Sequence, residues 1–232
     1  MIKHINIKIV GSLLLLIIFA TTSNGYNQII NFNLKSGENI VLEAVGVDTD
    51  LDFNVAGSGN GNYLMAGDQG PFVVDRNSFT DEIVIFRVTV PDYVDLNVEV
   101  SKTVDLTLVC EGEVCPDPLP QIPYQLGWAY WNNGSDPSGP DPSVSELINS
   151  STEILTATGT PMPFSVATFP AKKRSIGSGP PVPPTPDSGL YVTSATTSAY
   201  ILVYGGIQQI PQNIQAGTYE AIINISVNVG GM

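Results

Sequence analysis

Hydrophobic and polar residues alternate along several segments of the chain with a period of two residues. Near the N-terminus, Ile30, Phe32 and Leu34 alternate with asparagine and lysine. Side chains of a β-strand point alternately to opposite faces of the sheet, so this pattern predicts strands with one buried face and one face in water. The same alternation occurs around residues 84 to 90, 94 to 100, 104 to 110, 200 to 204 and 219 to 229.

Turn-forming residues separate these segments and leave little room for helices. The chain has 22 Gly and 18 Pro in 232 residues, and both residue types interrupt regular structure. Strands between such turns predict an all-β fold, specifically an immunoglobulin-like antiparallel β-sandwich. One short helix is expected within residues 143 to 155, with Glu146 in its first turn.

Two segments, residues 116 to 143 and residues 170 to 188, contain many prolines. Proline has no backbone N–H and fixes φ, so these segments are expected to be long proline-rich loops. Residues 26 to 232 are predicted to form one β-sandwich domain, and the first of these loops also allows a domain boundary near residue 117.

The first 25 residues have the three-part layout of a secretory signal peptide. Lys3 and Lys8 precede an apolar run over residues 9 to 20, and small residues follow as far as Gly25. The alternative is a retained membrane anchor, but the run is too short for a helix that crosses the ~30 Å hydrocarbon core. We therefore expect residues 1 to 25 to be removed, which leaves an exported protein without a membrane span.

Charge and histidine content exclude several classes of function. The chain has 9 Lys+Arg against 22 Asp+Glu, a net charge of −13. Nucleic acids bind clustered Lys and Arg, so a nucleic-acid partner is not expected. The single histidine, His4, lies in the predicted signal peptide, so the mature protein has no histidine for a catalytic triad or a metal site.

Paired carboxylates are the remaining route to catalysis that the composition offers. A hydrolase of that kind needs two acids directed into one cleft, and no spacing in the sequence singles out such a pair. The sequence therefore favours a protein that is not an enzyme and has no cofactor.

The two cysteines, Cys110 and Cys115, flank four residues. In an exported protein they most simply form a disulfide that closes a short loop. Two thiols are too few for a structural metal site, and a redox pair would normally have two intervening residues.

Asp48, Asp50 and Asp52 resemble the start of a calcium-binding loop, which uses carboxylate oxygens as ligands. Phe53 stands where that loop needs glycine, and Gly59 stands where it needs glutamate. The three aspartates are a weak metal candidate, and a solvated strand edge is the favoured alternative.

Both tryptophans of the chain, Trp128 and Trp131, lie in one aromatic segment together with Tyr124 and Tyr130. Exposed aromatic rings stack against sugars, so one interpretation is a glycan-binding face on Trp128 and Trp131. The other is a place in the core, where large aromatic side chains more often lie.

The C-terminal segment reads Ala216-Gly217-Thr218-Tyr219 and continues as an alternating strand to Val227. It resembles the last strand of chaperone–usher pilins, and most closely the alternate (alpha-type) fimbrial subunits and the spore-coat-U-like secreted proteins. The resemblance implies an exported structural subunit of a surface fibre, a pilus or fimbria, that reaches the cell surface through the periplasm. The alternative function is a secreted carbohydrate-binding or adhesive module.

In such pilins the sandwich lacks its final strand, and the open groove is filled first by a periplasmic chaperone and then by the N-terminal extension of the next subunit. Strand addition of this kind places alternating side chains in pockets. The resemblance thus implies a donor strand at residues 29 to 34, with Ile30, Phe32 and Leu34 in the pockets and with copies of itself or related subunits as partners. The alternative is an ordinary first strand that pairs within its own chain.

Overall fold

A computed structural model describes residues 13–18, 26–45, 54–55, 83–102, 105–110, 115–154, 164–173, 196–207, 211, 214–215 and 217–230. In this part of the chain the protein is all-β, and two mostly antiparallel sheets form a sandwich-like arrangement. The all-β prediction is confirmed.

Thirteen strands and a single helix, α1 (Val144–Ser150), lie among the described residues. In the chain, α1 comes between the ninth and the tenth strand. The strands are β1 (Leu13–Ile18), β2 (Tyr26–Ser36), β3 (Val41–Val45), β4 (Asn54–Val55), β5 (Val84–Pro91), β6 (Asp95–Lys102), β7 (Leu106–Leu108), β8 (Gln121–Ile122), β9 (Gln125–Ser135), β10 (Thr152–Ile154), β11 (Phe164–Pro170), β12 (Thr196–Ile207) and β13 (Gly217–Val229).

The first sheet has the order β1-β2-β13-β6-β11, and the β7–β8 pair extends it beside β13. The second sheet has the order β10-β9-β12-β5-β3, with β4 beside β12. All neighbouring strands are antiparallel except β2 with β13 and β4 with β12, which are parallel. Among the described residues, the first and the last long strand, β2 and β13, are therefore neighbours.

The main core lies between the two sheets and is built by the alternation that the sequence contains. Val84, Phe86 and Val88 of β5 are buried in it, and so are Ile223, Ile225 and Val227 of β13. Strands on both sides of residue 117 contribute side chains to this core. Burial of one face of each strand supplies most of the driving force for folding such a sandwich.

A second apolar cluster covers the outer side of the second sheet. Leu147 and Ile148 of α1 pack there with Tyr200, Leu202 and Tyr204 of β12. β12 is consequently buried on both faces, because α1 shields the face that a two-layer sandwich would leave in water. Helix α1 confirms the predicted helix, including Glu146 in its first turn, and the Ser143 hydroxyl accepts a hydrogen bond from the Glu146 N–H.

The prediction of a continuous loop over residues 116 to 143 was wrong. β9 occupies the middle of this segment and pairs with both β10 and β12. No proline lies between Pro123 and Pro137, so the prolines flank the strand and leave its ladder intact. Both faces of β9 are buried, which replaces the alternating pattern of a half-exposed strand by a nearly continuous apolar run.

Candidate functional site at the N-terminal strand

The three residues predicted as donor-strand side chains, Ile30, Phe32 and Leu34, lie on the inward face of β2. All three are buried in the core between the sheets, and Phe32 is 0% exposed. The Phe32 ring meets Phe86 of the opposite sheet at a centroid distance of 5.2 Å and an interplanar angle of 59°. In the single chain, β2 therefore has the arrangement of an ordinary first strand that fills its own sandwich.

β2 is bound to the rest of the domain along one continuous parallel ladder. Its 11 residues pair with β13 from Tyr26 beside Gly217 to Ser36 beside Val227. Among the described strands, only β13 and β1 are neighbours of β2. The groove that β2 occupies is thus formed by one edge of β13 and by the core side chains below it.

Polar contacts on the outer face fix the register of this ladder. The Asn33 Nδ2 donates to the Asn224 Oδ1 at 3.0 Å, and these two residues are direct partners in the ladder. The Asn31 Nδ2 donates to the Glu220 Oε1. A slip of one residue would bring asparagines into the core, so the apolar and polar faces of β2 specify the same register.

Residues 37–40 connect β2 in the first sheet to β3 in the second sheet. The Gly37 N–H donates to the Val227 carbonyl at 2.9 Å, which continues the ladder by one residue. Asn39 has φ of +61°, a left-handed conformation that asparagine tolerates better than most residues. This short connection is the only described link between β2 and the next strand in the chain.

The outer edge of β2 pairs with β1 over six residues, antiparallel, from Leu13 beside Leu34 to Ile18 beside Ile29. β1 lies within the predicted signal peptide. Removal of residues 1 to 25 would therefore leave β2 with one ladder instead of two.

The predicted glycan-stacking residues lie on opposite sides of β9. Trp128 is 1% exposed in the core between the sheets, and its Nε1 has no hydrogen-bond partner among the described residues. Trp131 is 3% exposed under α1, where its Nε1 donates to the Ser150 Oγ at 2.9 Å and its ring meets Tyr200 edge-on at 5.5 Å. Neither indole presents a free ring face, which agrees with the core alternative and gives no support to a stacking platform.

Of the other predicted site residues, the structure describes the two cysteines but not the three aspartates. Cys110 is half-buried and Cys115 is exposed, while the four residues between them lie outside the described part, so their disulfide stays a prediction. Asp48, Asp50 and Asp52 also lie outside the described residues. Within the described ranges, no group of three or more Asp, Glu, Cys or His side chains could hold a metal ion.

A charged cluster that the sequence analysis did not identify lies at the outer side of the second sheet. Arg87 bridges the Glu43 carboxylate, at 2.5 Å, and the Asp141 carboxylate, at 3.0 Å. The Tyr200 hydroxyl donates to the Asp141 Oδ1 at 2.7 Å and lies 3.2 Å from the Ser135 hydroxyl. Arg87 is the one charge within the apolar strand β5, and that feature could have indicated the cluster.

The protonation states in this cluster follow from its contacts. The hydrogen bond to Glu43 is the main cause that raises the pKa of Arg87 above its ordinary value. Burial raises the pKa of Tyr200 to about 12. Arg87 stays cationic and Tyr200 stays neutral near pH 7, so the cluster ties the loop before α1 to the sheet.

A second ion pair joins Lys102, the last residue of β6, to Asp105, the residue before β7. The Lys102 Nζ donates to the Asp105 Oδ1 at 2.6 Å and to the Tyr124 carbonyl at 2.8 Å. The same ammonium group is 4.4 Å from the centroid of the Tyr124 ring, a cation–π distance. Burial raises the pKa of Tyr124. This lysine is satisfied by its neighbours and links the start of β9 to the first sheet.

Comparison of the chain with protein-family models, curated proteins and solved structures gives no match. None of the helices in the described ranges has the length and apolar character needed to cross a membrane. The fold and the site define an all-β protein of two facing sheets in which β2 lies along β13 and fills the core beside it.

Proposed function

We propose that the protein is an exported structural subunit of a surface fibre, in which β2 of one copy lies on β13 of the next. The observation that supports this proposal is the position of β2, which follows the predicted signal peptide directly and fills an 11-residue groove on the last strand. Its three inward side chains enter the core, as strand addition requires.

An empty groove is energetically costly for this chain. Each of Ile30, Phe32 and Leu34 contributes about 1.5–3 kcal/mol by leaving water, and the β13 edge would lose its backbone partners. A subunit must therefore fill the groove with its own β2, with the strand of a periplasmic chaperone, or with β2 of a neighbouring copy.

Exchange between copies would preserve the contacts that the single chain makes. A swapped β2 repeats the same parallel ladder and buries the same side chains, so only the connection at residues 37–40 has to change. Because contacts are conserved, the balance between the two arrangements depends on that connection and on protein concentration. The predicted signal peptide, the alternating strands β2 and β13 and the resemblance of residues 216 to 227 to pilin terminal strands support the exchanged form in a fibre.

The ladder partners Asn33 and Asn224 offer a direct test, because their side chains touch on the accessible outer face. An exported chain with Asn33→Cys is mixed, during assembly, with a chain carrying Asn224→Cys. A disulfide between the two chains is expected on mild oxidation, since it forms when β2 of one copy lies on β13 of the other. Non-reducing electrophoresis measures the cross-link, and negative-stain microscopy records the fibres.

A matched control combines Asn33→Cys with Asn97→Cys, which lies on the same outer face but on β6, two strands away from β2. This pair should not cross-link. The double variant Asn33→Cys/Asn224→Cys, oxidised within one chain before assembly, should lock β2 in place and prevent fibre growth. Fibres that form equally well from the locked chain would contradict the proposal.

A further inference from the structure

The outer edge of β2 differs from the other described sheet edges. β10 has three residues, β3 has five, and β11 has seven and ends at Pro170. β2 has 11 residues without proline or glycine, and Lys35 is its only charge. Long edges without such protection invite pairing with another strand, so this edge needs a partner once residues 1 to 25 have been removed.

The structure shows which orientation this edge accepts. β1 pairs with it antiparallel over six residues while β13 occupies the inner edge in parallel. Both edges of β2 can therefore be bound at the same time, and the outer edge accepts an antiparallel strand.

Asn31 supplies a second observation at the same edge. It is 3% exposed on the outer face of β2, and its Nδ2 donates to Glu220. Its Oδ1 is buried without a hydrogen-bond partner among the described residues. This burial is that of the chain in which Leu16 of β1 lies opposite Asn31. Any strand that takes the place of β1 covers the Oδ1 again, and a buried acceptor without a donor costs about 1–3 kcal/mol. Residues directly opposite in an antiparallel pair are close enough for side-chain amides to meet, so a strand with an amide at this position supplies the missing donor.

We propose that the mature protein forms a two-fold dimer in which the β2 strands of two copies pair antiparallel, with Asn31 opposite Asn31 of the second copy. An asparagine amide has two N–H groups. One stays on Glu220, and the other reaches the Oδ1 across the axis. Each copy thereby supplies the donor that the other lacks.

This register also keeps the sandwich continuous. Ile30 of one copy faces Phe32 of the other, so the apolar faces of both strands remain on the core side of the joined sheet. The contact is isologous and closes with two copies. It differs from strand exchange, because it uses the outer edge of β2, which is open whichever copy supplies the β13 on the inner edge. It rests on the predicted removal of residues 1 to 25 and not on the proposed function.

Sedimentation velocity of the exported protein, purified with its natural N-terminus, tests the proposal. The expected result is a dimer, together with at least about tenfold weaker association for Asn31→Asp, because two carboxylates would meet across the axis. The variant is made in a Glu220→Gln background, so that the new carboxylate meets no acid in its own chain. Asn33→Asp is the matched control on the same strand and face. It lies opposite Ile29 in this register, so its dimer should persist.

Cysteine cross-linking tests the register itself. Asn31→Cys should give a covalent dimer on mild oxidation, whereas Asn33→Cys should not cross-link with itself, and the parent protein under the same oxidant gives the background from Cys110 and Cys115. Circular dichroism verifies that each variant is folded. A monomeric parent protein at all accessible concentrations, or a dimer that neither Asn31→Asp weakens nor Asn31→Cys traps, would overturn the proposal.

Discussion

Neighbouring residues of β2 have opposite environments, and their substitutions should have opposite effects. Phe32 packs against Phe86 in the core, while Asn33 lies on the outer face and contacts Asn224. A large-to-small change at Phe32 leaves a cavity between the sheets, whereas the change of Asn33 to alanine removes one half-buried hydrogen bond on the outer face.

We expect Phe32→Ala to lower the free energy of unfolding by about 3–5 kcal/mol. Asn33→Ala, the control one position away, should lower it by about 1 kcal/mol or less. Urea denaturation followed by tryptophan fluorescence measures both. Equal losses for the two variants would mean that β2 is not held through its inward face.

The two buried tryptophans form a matched pair for hydrogen bonding. Trp131→Phe removes the donor to the Ser150 Oγ, while Trp128→Phe removes an N–H that has no partner in the described part of the chain. Both changes create similar cavities. We therefore expect Trp131→Phe to destabilise the protein by about 1–2 kcal/mol more than Trp128→Phe, as measured by denaturant unfolding. The reverse order would disprove this assignment.

Buried tyrosines predict a loss of stability at alkaline pH. Burial raises the pKa of Tyr200 to about 12, and it also raises the pKa of Tyr219. An unfolded tyrosine has a pKa near 10, so above that pH the unfolded chain releases protons that the folded chain retains. Stability should stay constant with respect to these groups below about pH 10 and fall as the pH rises towards 12.

Thermal unfolding between pH 8 and pH 12 measures this fall. Tyr200→Phe should reduce the slope above pH 10, since one of the shifted groups is gone. Tyr93→Phe is the control, because Tyr93 is 70% exposed. An unchanged slope in the Tyr200 variant would show that other groups cause the alkaline loss.

Individual helices and strands differ in how well the sequence alone predicts their existence and their buried faces. Helix α1 was predictable because its signals are local, a serine cap at Ser143 and Glu146 three residues later. β5 and β13 were predictable because apolar residues recur at every second position along each strand. The burial of both faces was not predictable for β9 or for β12. In each strand the second apolar face is covered by α1, which lies elsewhere in the chain.

For the candidate site, too, local features were predictable from the sequence and contacts between distant segments were not. The alternation of Ile30, Phe32 and Leu34 predicted a strand with a buried face, but alternation does not name the partner strand. The parallel pairing with β13 joins residues about 190 positions apart, and no local pattern specifies it. The Arg87 cluster was missed for the same reason, since Glu43, Asp141 and Tyr200 come from three distant segments.

The connection between β2 and β3 should control strand exchange. Residues 37–40 cross from one sheet to the other, and Asn39 holds a left-handed conformation. Short connections favour exchange, and longer ones favour closure within one chain. Insertion of Gly-Ser-Gly-Ser after Glu38 should therefore reduce the Asn33–Asn224 cross-link between chains.

The same insertion after Asp136, in the exposed turn that follows β9, is the control and should leave that cross-link unchanged. Yield on non-reducing gels gives the comparison. A higher yield from the lengthened connection would show that this segment does not oppose closure.

At the scale of the whole molecule, the predicted N-terminal processing decides which edges are open. We expect the exported protein to begin within about two residues of Gly25, which removes β1 and leaves β2 as the outermost strand of the first sheet. Intact-mass spectrometry of the secreted product measures this directly. A mass that includes residues 1 to 25 would mean that β1 keeps its place and that the outer edge of β2 stays covered.

Pairing of β2 with β13 also sets the order in which the chain can fold. β2 is synthesised about 190 residues before β13, so its aromatic and aliphatic side chains have no β13 to pack beside until that later segment has been made. Closing so long a loop is slow, because its entropy must be lost before the ladder forms. During that interval a nascent β2 is available to any other chain that already displays a finished β13.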